Sequence, residues 1–179
     1  IRRLQPAELD QRLEQGDRRH GALLYRPTCT ECHACEAIRL DVSQFKLRPH
    51  HKRVLRNGDK VLRVELGPPL SDRERVQLFE RHKRLRGLES PNARPITMLS
   101  YQRFLVDRLC GSFEMRYYHE GRLVGVAVTD KGEKALSAVY CYYDPELSKL
   151  SLGTYSILKQ LELAKRWGMK HLYLGLYIE

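Results

Sequence analysis

The stretch "ALSAVYCYYDPELSKLSLGTYSILKQLELAKRWGMKHLYLGLYI" (Ala135–Ile178) decides the fold. It opens as a strand that stops at Asp144-Pro145, since proline cannot donate to a sheet ladder. "SLGTYSILKQLELAKRWG" then reads as a helix, with Ile157, Leu158, Leu161 and Ala164 at helical spacing and Gly168 as its C-terminal stop. "HLYLGLYI" reads as a further strand. Working outward, "SFEMRYYHEGRLVGVAVTD" (Ser112–Asp130) gives two strands joined at Glu120-Gly121, and a turn at Lys131-Gly132 leads into the quoted stretch. An antiparallel meander, a helix and a closing strand make an α+β arrangement.

Upstream the texture differs. Residues 1–66 are charged and turn-rich, with short strand-like pieces in "AIRLDV" and "KVLRVEL", and Pro68-Pro69 closes the region. We therefore expect a small N-terminal subdomain (1–66) and a larger domain (67–179). "SDRERVQLFERHKRLRG" reads as a helix, with Ser71 as N-cap, Glu74 as its capping-box partner and Gly87 as the stop. His82 on this basic helix reads as a surface residue. A second short helix is expected over Leu99–Leu109.

The chain of 179 residues carries a net charge of +10. Between Lys46 and Arg86 there are 13 Lys or Arg against 5 Asp or Glu, so this block alone contributes +8. Such a block suits an anionic polymer such as RNA, or else serves as a solvated basic face. No segment approaches the roughly 20 apolar residues needed to cross a bilayer. Five cysteines, an odd number in a chain of this size, favour a reducing, cytoplasmic setting. The sequence opens at Ile1 without a start methionine, which reads as a fragment or a chain lacking its ends.

"YRPTCTECHACEAIRL" places Cys29, Cys32 and Cys35 at three-residue intervals. Zinc and iron–sulfur sites normally take four protein ligands, so three thiols are either part of such a site or reduced residues packing the subdomain. His33 is a poor fourth ligand beside a coordinating neighbour. Cys110 and Cys141 read as small buried apolar residues.

The order of meander, helix and strand is that of the acyltransferase fold typified by the N-acetyltransferases (GNAT). Those enzymes hold coenzyme A on a glycine-rich loop at a helix N-terminus. The matching "SKLSLGTYS" has a single glycine, Gly153, so coenzyme A is poorly supported, while an oxyanion or phosphate can still sit at Ser151, Leu152, Gly153 and Thr154. "ALSAVYCYYDPELSKLSLGTYSIL" with "AKRWGMKHLYLGLYI" resembles the catalytic half of the aminoacyl-tRNA–protein transferases. "RRHGALLYRPTCTECHACEAIRLDVSQF" is similar to the N-terminal half of their bacterial branch. The resemblance implies transfer of an amino acid, leucine or arginine, from its tRNA to the α-amino group of proteins beginning with Asp or Glu, which marks them for degradation. It implies charged tRNA and such proteins as partners, and no cofactor for the chemistry. It also implies that a metal ligand, iron–sulfur or zinc, could precede the triplet in the N-terminal segment that relatives carry. Where the family reads Ser-x-x-Gln-Arg-Arg, this chain has "RPHHKRVLRN", which keeps the paired charge of Lys52 and Arg53; Arg56 and, on the next helix, Lys83 and Arg84 join them as candidate tRNA contacts.

For such a reaction the residues needed are aligners and oxyanion donors. The donor is an activated ester, and the amine has a pKa of about 7.7–8.0. Six of the ten tyrosines lie between Tyr140 and Tyr177. Strand alternation puts Tyr140, Tyr142 and Asp144 on one face, and Tyr173, Gly175 and Tyr177 on one face of the last strand. Phenols there donate to an oxyanion, relay a proton or stack on the terminal adenine; the alternative is ordinary sheet packing. Asp130 accepts the substrate ammonium as base or ion partner, or else starts the turn before Lys131-Gly132. Asp144 before Pro145 is open to the same two readings. Ser151 and Thr154 either bind substrate or cap their helix. Against the transferase stand two rivals: an acyltransferase with another donor, and a metal-stabilised RNA-binding module.

Overall fold

A computed structural model describes residues 2–32, 34–89 and 94–178. Helix α1 (Pro6–Glu14) leads to a small hairpin, β1 (Arg18–His20) and β2 (Leu23–Tyr25), and then to β3 (Cys35–Asp41). Next come α2 (Pro49–Asp59), β4 (Leu62–Gly67), α3 (Arg73–Leu85) and the single turn α4 (Met98–Tyr101), which continues as a π-type turn over Gln102–Val106. The meander is β5 (Ser112–His119), β6 (Arg122–Lys131) and β7 (Ala135–Tyr143). A 3₁₀ turn (Pro145–Leu150), α5 (Leu152–Arg166) and β8 (His171–Ile178) complete the chain.

One mixed sheet of six strands runs β3-β8-β7-β6-β5-β4. All neighbours are antiparallel except β7 and β8, which α5 joins as a crossover. The turn between β5 and β6 has Glu120 and Gly121 at φ 50° and 79°, the left-handed pair that a two-residue hairpin demands.

Helices cover both faces. On one, Leu152, Tyr155 and Leu158 of α5 pack with Leu55 of α2 over Met115, Val124 and Ala127. On the other, Val76 and Phe79 of α3 pack with Tyr101 and Leu105 over Val126, Val128 and Tyr142, and Leu9 and Leu13 of α1 cover Ala135 and Tyr173. The result is three layers, helix–sheet–helix. Among the described residues no helix is long and apolar enough to cross a membrane.

Three expectations change. The division between 66 and 67 falls inside β4, an edge strand of the same sheet, and β3 forms the opposite edge, so residues from the charged N-terminal region frame the sheet at both ends. The N-cap of α3 is Asp72, whose carboxylate accepts the Arg75 N–H at 2.9 Å, and not Ser71. His82 is buried, not at the surface: its Nδ1 lies 2.9 Å from the Tyr143 carbonyl and 3.2 Å from the Tyr143 N–H. A residue on the inward face of an amphipathic helix is buried by position, even in a basic run.

Candidate active site

Strands β7 and β8 pair at three positions only, Ala135↔His171, Leu136↔Leu172 and Ser137↔Tyr173. Beyond them β7 continues to Tyr143 and β8 to Ile178 without pairing, so the two part. Two irregularities sit at this level. The β6–β7 register jumps from Val128↔Tyr140 to Thr129↔Ala138, leaving Val139 as a bulge. The β3–β8 register jumps from Ile38↔Gly175 to Arg39↔Tyr173, leaving Leu174 as another. A bulge bends its strand and raises the local twist, and one on each strand accounts for the opening. Gly175 has φ 110°, a backbone that side chains other than glycine rarely adopt.

The β1–β2 hairpin closes one side of this opening. Arg18, Arg19 and Tyr25 line a cavity of about 70 Å³ together with Ser137, Ala138 and Val139 of β7 and Gly175 and Leu176 of β8. Arg19 is held from three directions. Its Nε donates to Asp130 Oδ2 at 2.8 Å, and its Nη1 to the carbonyls of Gly21 (2.8 Å) and Asp107 (3.0 Å). Asp130 also accepts from Ser112 Oγ at 2.6 Å. Burial pushes the Asp130 carboxyl up, and Arg19 and Ser112 oppose that rise. Tyr173 is flanked by two guanidiniums: Arg39 Nη1 donates to its hydroxyl at 2.9 Å, and Arg18 lies 5.7 Å from its ring centre.

The other side of the sheet carries the N-terminus of α5. Thr129 bonds Gln160 of α5 at 2.9 Å, while its neighbour Asp130 bonds Arg19. Successive residues of a strand face opposite ways, so α5 and the hairpin flank the opening from opposite layers. Gly153 in the first turn of α5 lies against Tyr143: a Cβ there would stand 3.4 Å from its ring and 3.5 Å from its hydroxyl. His82 packs edge-on to the same Tyr143 ring, at 4.7 Å. The last turn of α3 and the first turn of α5 therefore meet over Tyr143. Helix α2 lies along α5, since Tyr155 Oη donates to Asp59 at 2.8 Å. The side chains of Lys52, Arg53 and Arg56 are exposed on this α5 layer; on the α3 layer Arg84 is exposed and Lys83 half-buried.

The residues singled out in the sequence scatter across this geometry. Tyr173 lies in the cavity region, and Asp130 reaches the cavity only through Arg19. Tyr140 is half-buried against Phe79 and Phe104. Tyr142 is sealed in the core, its hydroxyl 2.5 Å from that of Tyr101. Asp144 is buried; against the burial that would raise it, the Glu146 N–H and Arg81 hold its carboxyl below the ordinary value, and Arg122 adds a contact at 3.0 Å. Tyr177 is 52% exposed. Ser151 adopts φ 49° and caps α5 without a side-chain bond; it and Thr154 are exposed, while Leu152 is buried. Arg18, Arg19, Tyr25 and Ser137 were missed. The paired arginines of "RRHG" just before the cysteine run were the available signal.

Cys29 and Cys32 are exposed free thiols in a loop, and Cys35 opens β3. His33 lies outside the described residues. Among the described residues no group of three or more His, Cys, Asp or Glu could hold a metal ion. No step proposed below passes through a metal or cluster. A larger hollow of about 470 Å³ lies at the far end of α5, beside Lys165 and His171, away from the parting strands.

Two family models match the chain: the arginine-tRNA-protein transferase C terminus over residues 74–179 and its N terminus over residues 2–53. The chain is 40% identical to an aspartate/glutamate leucyltransferase of Halorhodospira halophila, over 93% of its own length and 70% of that protein. Identity to the aspartate/glutamate leucyltransferase of Pseudoalteromonas atlantica is 37%, over 92% and 70%. Among solved structures, the C-terminal domain of a putative lysylphosphatidylglycerol synthetase from Agrobacterium fabrum superposes with a TM-score of 0.61 at 12% identity, covering 80% of this chain and 46% of that one. At that identity the likeness concerns the fold alone.

Proposed function

The chain belongs to the arginine-tRNA-protein transferase family, and on that premise we propose that it moves leucine from its tRNA to the α-amino group of proteins beginning with Asp or Glu. The observation that carries this reading is the parting of β7 and β8, with a helix N-terminus on one side and buried guanidiniums on the other. A crossover helix between two diverging parallel strands, beside a bulge, also supports an N-acetyltransferase-like core.

The amine nitrogen attacks the ester carbonyl carbon, a C–N bond forms, and the C–O bond to the ribose breaks. The ribose oxygen leaves with a proton and the amine gives one up, directly or through water. With an ordinary amine pKa of about 7.7–8.0, roughly a fifth to a third of the nucleophile is already neutral at physiological pH. Two contributions then matter. Backbone N–H groups along the unpaired edges of β7 and β8 are fixed donors for the tetrahedral oxyanion, and both reactants are held in line. The charged RNA end approaches from the α5 layer, where the helix N-terminus at Gly153 favours a phosphate and Lys52, Arg53 and Arg56 of α2 supply cations. The acceptor enters from the hairpin side. A cytoplasmic setting follows from a tRNA donor.

The test is label transfer. Radiolabelled leucyl-tRNA should label a peptide starting with Asp or Glu and leave one starting with Gly unlabelled; absence of transfer from both leucyl- and arginyl-tRNA ends the reading. Replacing Lys52, Arg53 and Arg56 with Ala should lower the salt slope of tRNA binding by about 2–3, at roughly 0.7–0.9 per phosphate contact. An unchanged slope puts the RNA elsewhere.

A further inference from the structure

Arg18 is 5% exposed, yet its Nε, Nη1 and Nη2 have no hydrogen-bond partner among the described residues. A guanidinium taken out of water without a counter-charge is costly, and proteins usually pair one. The nearby carboxylates are engaged elsewhere. Asp130 takes Arg19 and Ser112; Asp17 takes Arg26 at 2.9 Å and Arg12 at 3.4 Å. Burial alone pulls the Arg18 pKa down, against weaker pulls from Tyr25 and Tyr173. Arg19 adds a further unpartnered buried nitrogen, Nη2. Two guanidiniums and one carboxylate leave this pocket one negative charge short.

We propose that Arg18 reads the acceptor: its guanidinium receives the side-chain carboxylate of the N-terminal Asp or Glu in the cavity where β7 and β8 part. The inference rests on the transferase reading and adds the residue that sets its specificity. A guanidinium presents parallel N–H donors that match the two oxygens of a carboxylate. The cavity suits a short side chain, with Ala138, Val139 and Leu176 as apolar walls and the buried Ser137 as a further donor. Gly175 lacks a Cβ that would stand 3.8 Å from Arg18 Nη2, which keeps the approach to the guanidinium open. The cavity also faces away from the α5 layer and its basic helix, which separates it from the proposed RNA path. A polar site left with unmade bonds discriminates strongly between a ligand that fills it and one that does not.

The experiment compares wild type, Arg18→Met and Arg18→Lys. Transfer from leucyl-tRNA is measured to peptides that differ only in a first residue of Asp, Glu, Asn or Gln. In Arg18→Met, kcat/KM for the acidic peptides should fall about 100-fold or more while that for the amide peptides changes little, with KM for leucyl-tRNA unchanged. Arg18→Lys should fall between, since it keeps the charge but loses the fork. Removing an unpaired buried charge should also raise the melting temperature of Arg18→Met, and millimolar Asp-starting peptide should raise that of wild type only. The inference is overturned if all four peptides lose rate together, if KM for leucyl-tRNA rises with the Asp/Asn ratio intact, or if Arg18→Met melts below wild type. Should wild type transfer nothing yet be stabilised by Asp-starting over Asn-starting peptide through Arg18, the transferase reading falls and this one stands.

Discussion

Replacing Asp130 with Ala separates two roles for this carboxylate. As a base it would be needed for turnover and little else. As the counter-ion of Arg19, with both side chains almost fully buried at 2.8 Å, its loss strands a guanidinium beside the already unpaired Arg18. Breaking a buried pair by removing one member costs about 3–5 kcal/mol. For a domain of this size each kcal/mol moves the melting temperature by about 2–4 °C, so the variant should melt about 6–20 °C lower. Removing Arg19 as well takes away the stranded charge. It also leaves the carbonyls of Gly21 and Asp107 without their donor, at about 1 kcal/mol each. Asp130→Ala/Arg19→Met should therefore be destabilised by only about 2 kcal/mol, and be more stable than Asp130→Ala alone. Urea unfolding of wild type, both single variants and the double variant gives the cycle. A double variant as unstable as the sum of its parts refutes the counter-ion role.

Tyr142→Phe removes one bond, to Tyr101, from a sealed core; about 1 kcal/mol of stability should go while kcat holds, and a large loss of turnover would return Tyr142 to the chemistry. Gly58→Ala drives a Cβ into the Tyr155 ring, which must move. Overpacking of about 1–3 kcal/mol should outweigh the roughly 1 kcal/mol gained in helix propensity, and the sign should reverse in a Tyr155→Leu background, as urea midpoints will read. Burial depresses the His82 pKa in the folded state, against the bond to Tyr143, which raises it. The unfolded chain then binds the proton more readily, so stability is full above an unfolded pKa of about 6.5 and declines as pH falls toward the folded value. His82→Gln should flatten that decline in unfolding curves taken between pH 7 and 5.

The C-terminal half was legible because each element there carries its own local signature. Glu120-Gly121, Asp144-Pro145 and Gly168 punctuate strands and a helix whose periods are clear, and the structure ends those elements at or beside them. Sheet order was not legible. "AIRLDV" and "KVLRVEL" read as strands, but nothing local says that one pairs with β8 and the other with β5, both far along the chain. Alternation put Tyr140, Tyr142 and Asp144 on one face, which holds above the bulge at Val139; the bulge itself has no sequence mark. The candidate site was legible at Gly153 and Tyr173. It was missed at Arg18, because a charged side chain is expected in solvent and only the fold reveals one buried without a mate.

The strand order also governs how the molecule can be made. β3 borders β8 alone, so the segment from Cys35 to Asp41 has no hydrogen-bonding neighbour until residues 171–178 have left the ribosome. At about 5–20 residues per second, a nascent chain carries that bare edge for several seconds. The exposed flank of β7 waits equally long. Assembly of the sheet thus waits on the emergence of β8, and a chain stopped before that strand would present two open templates for aggregation at once.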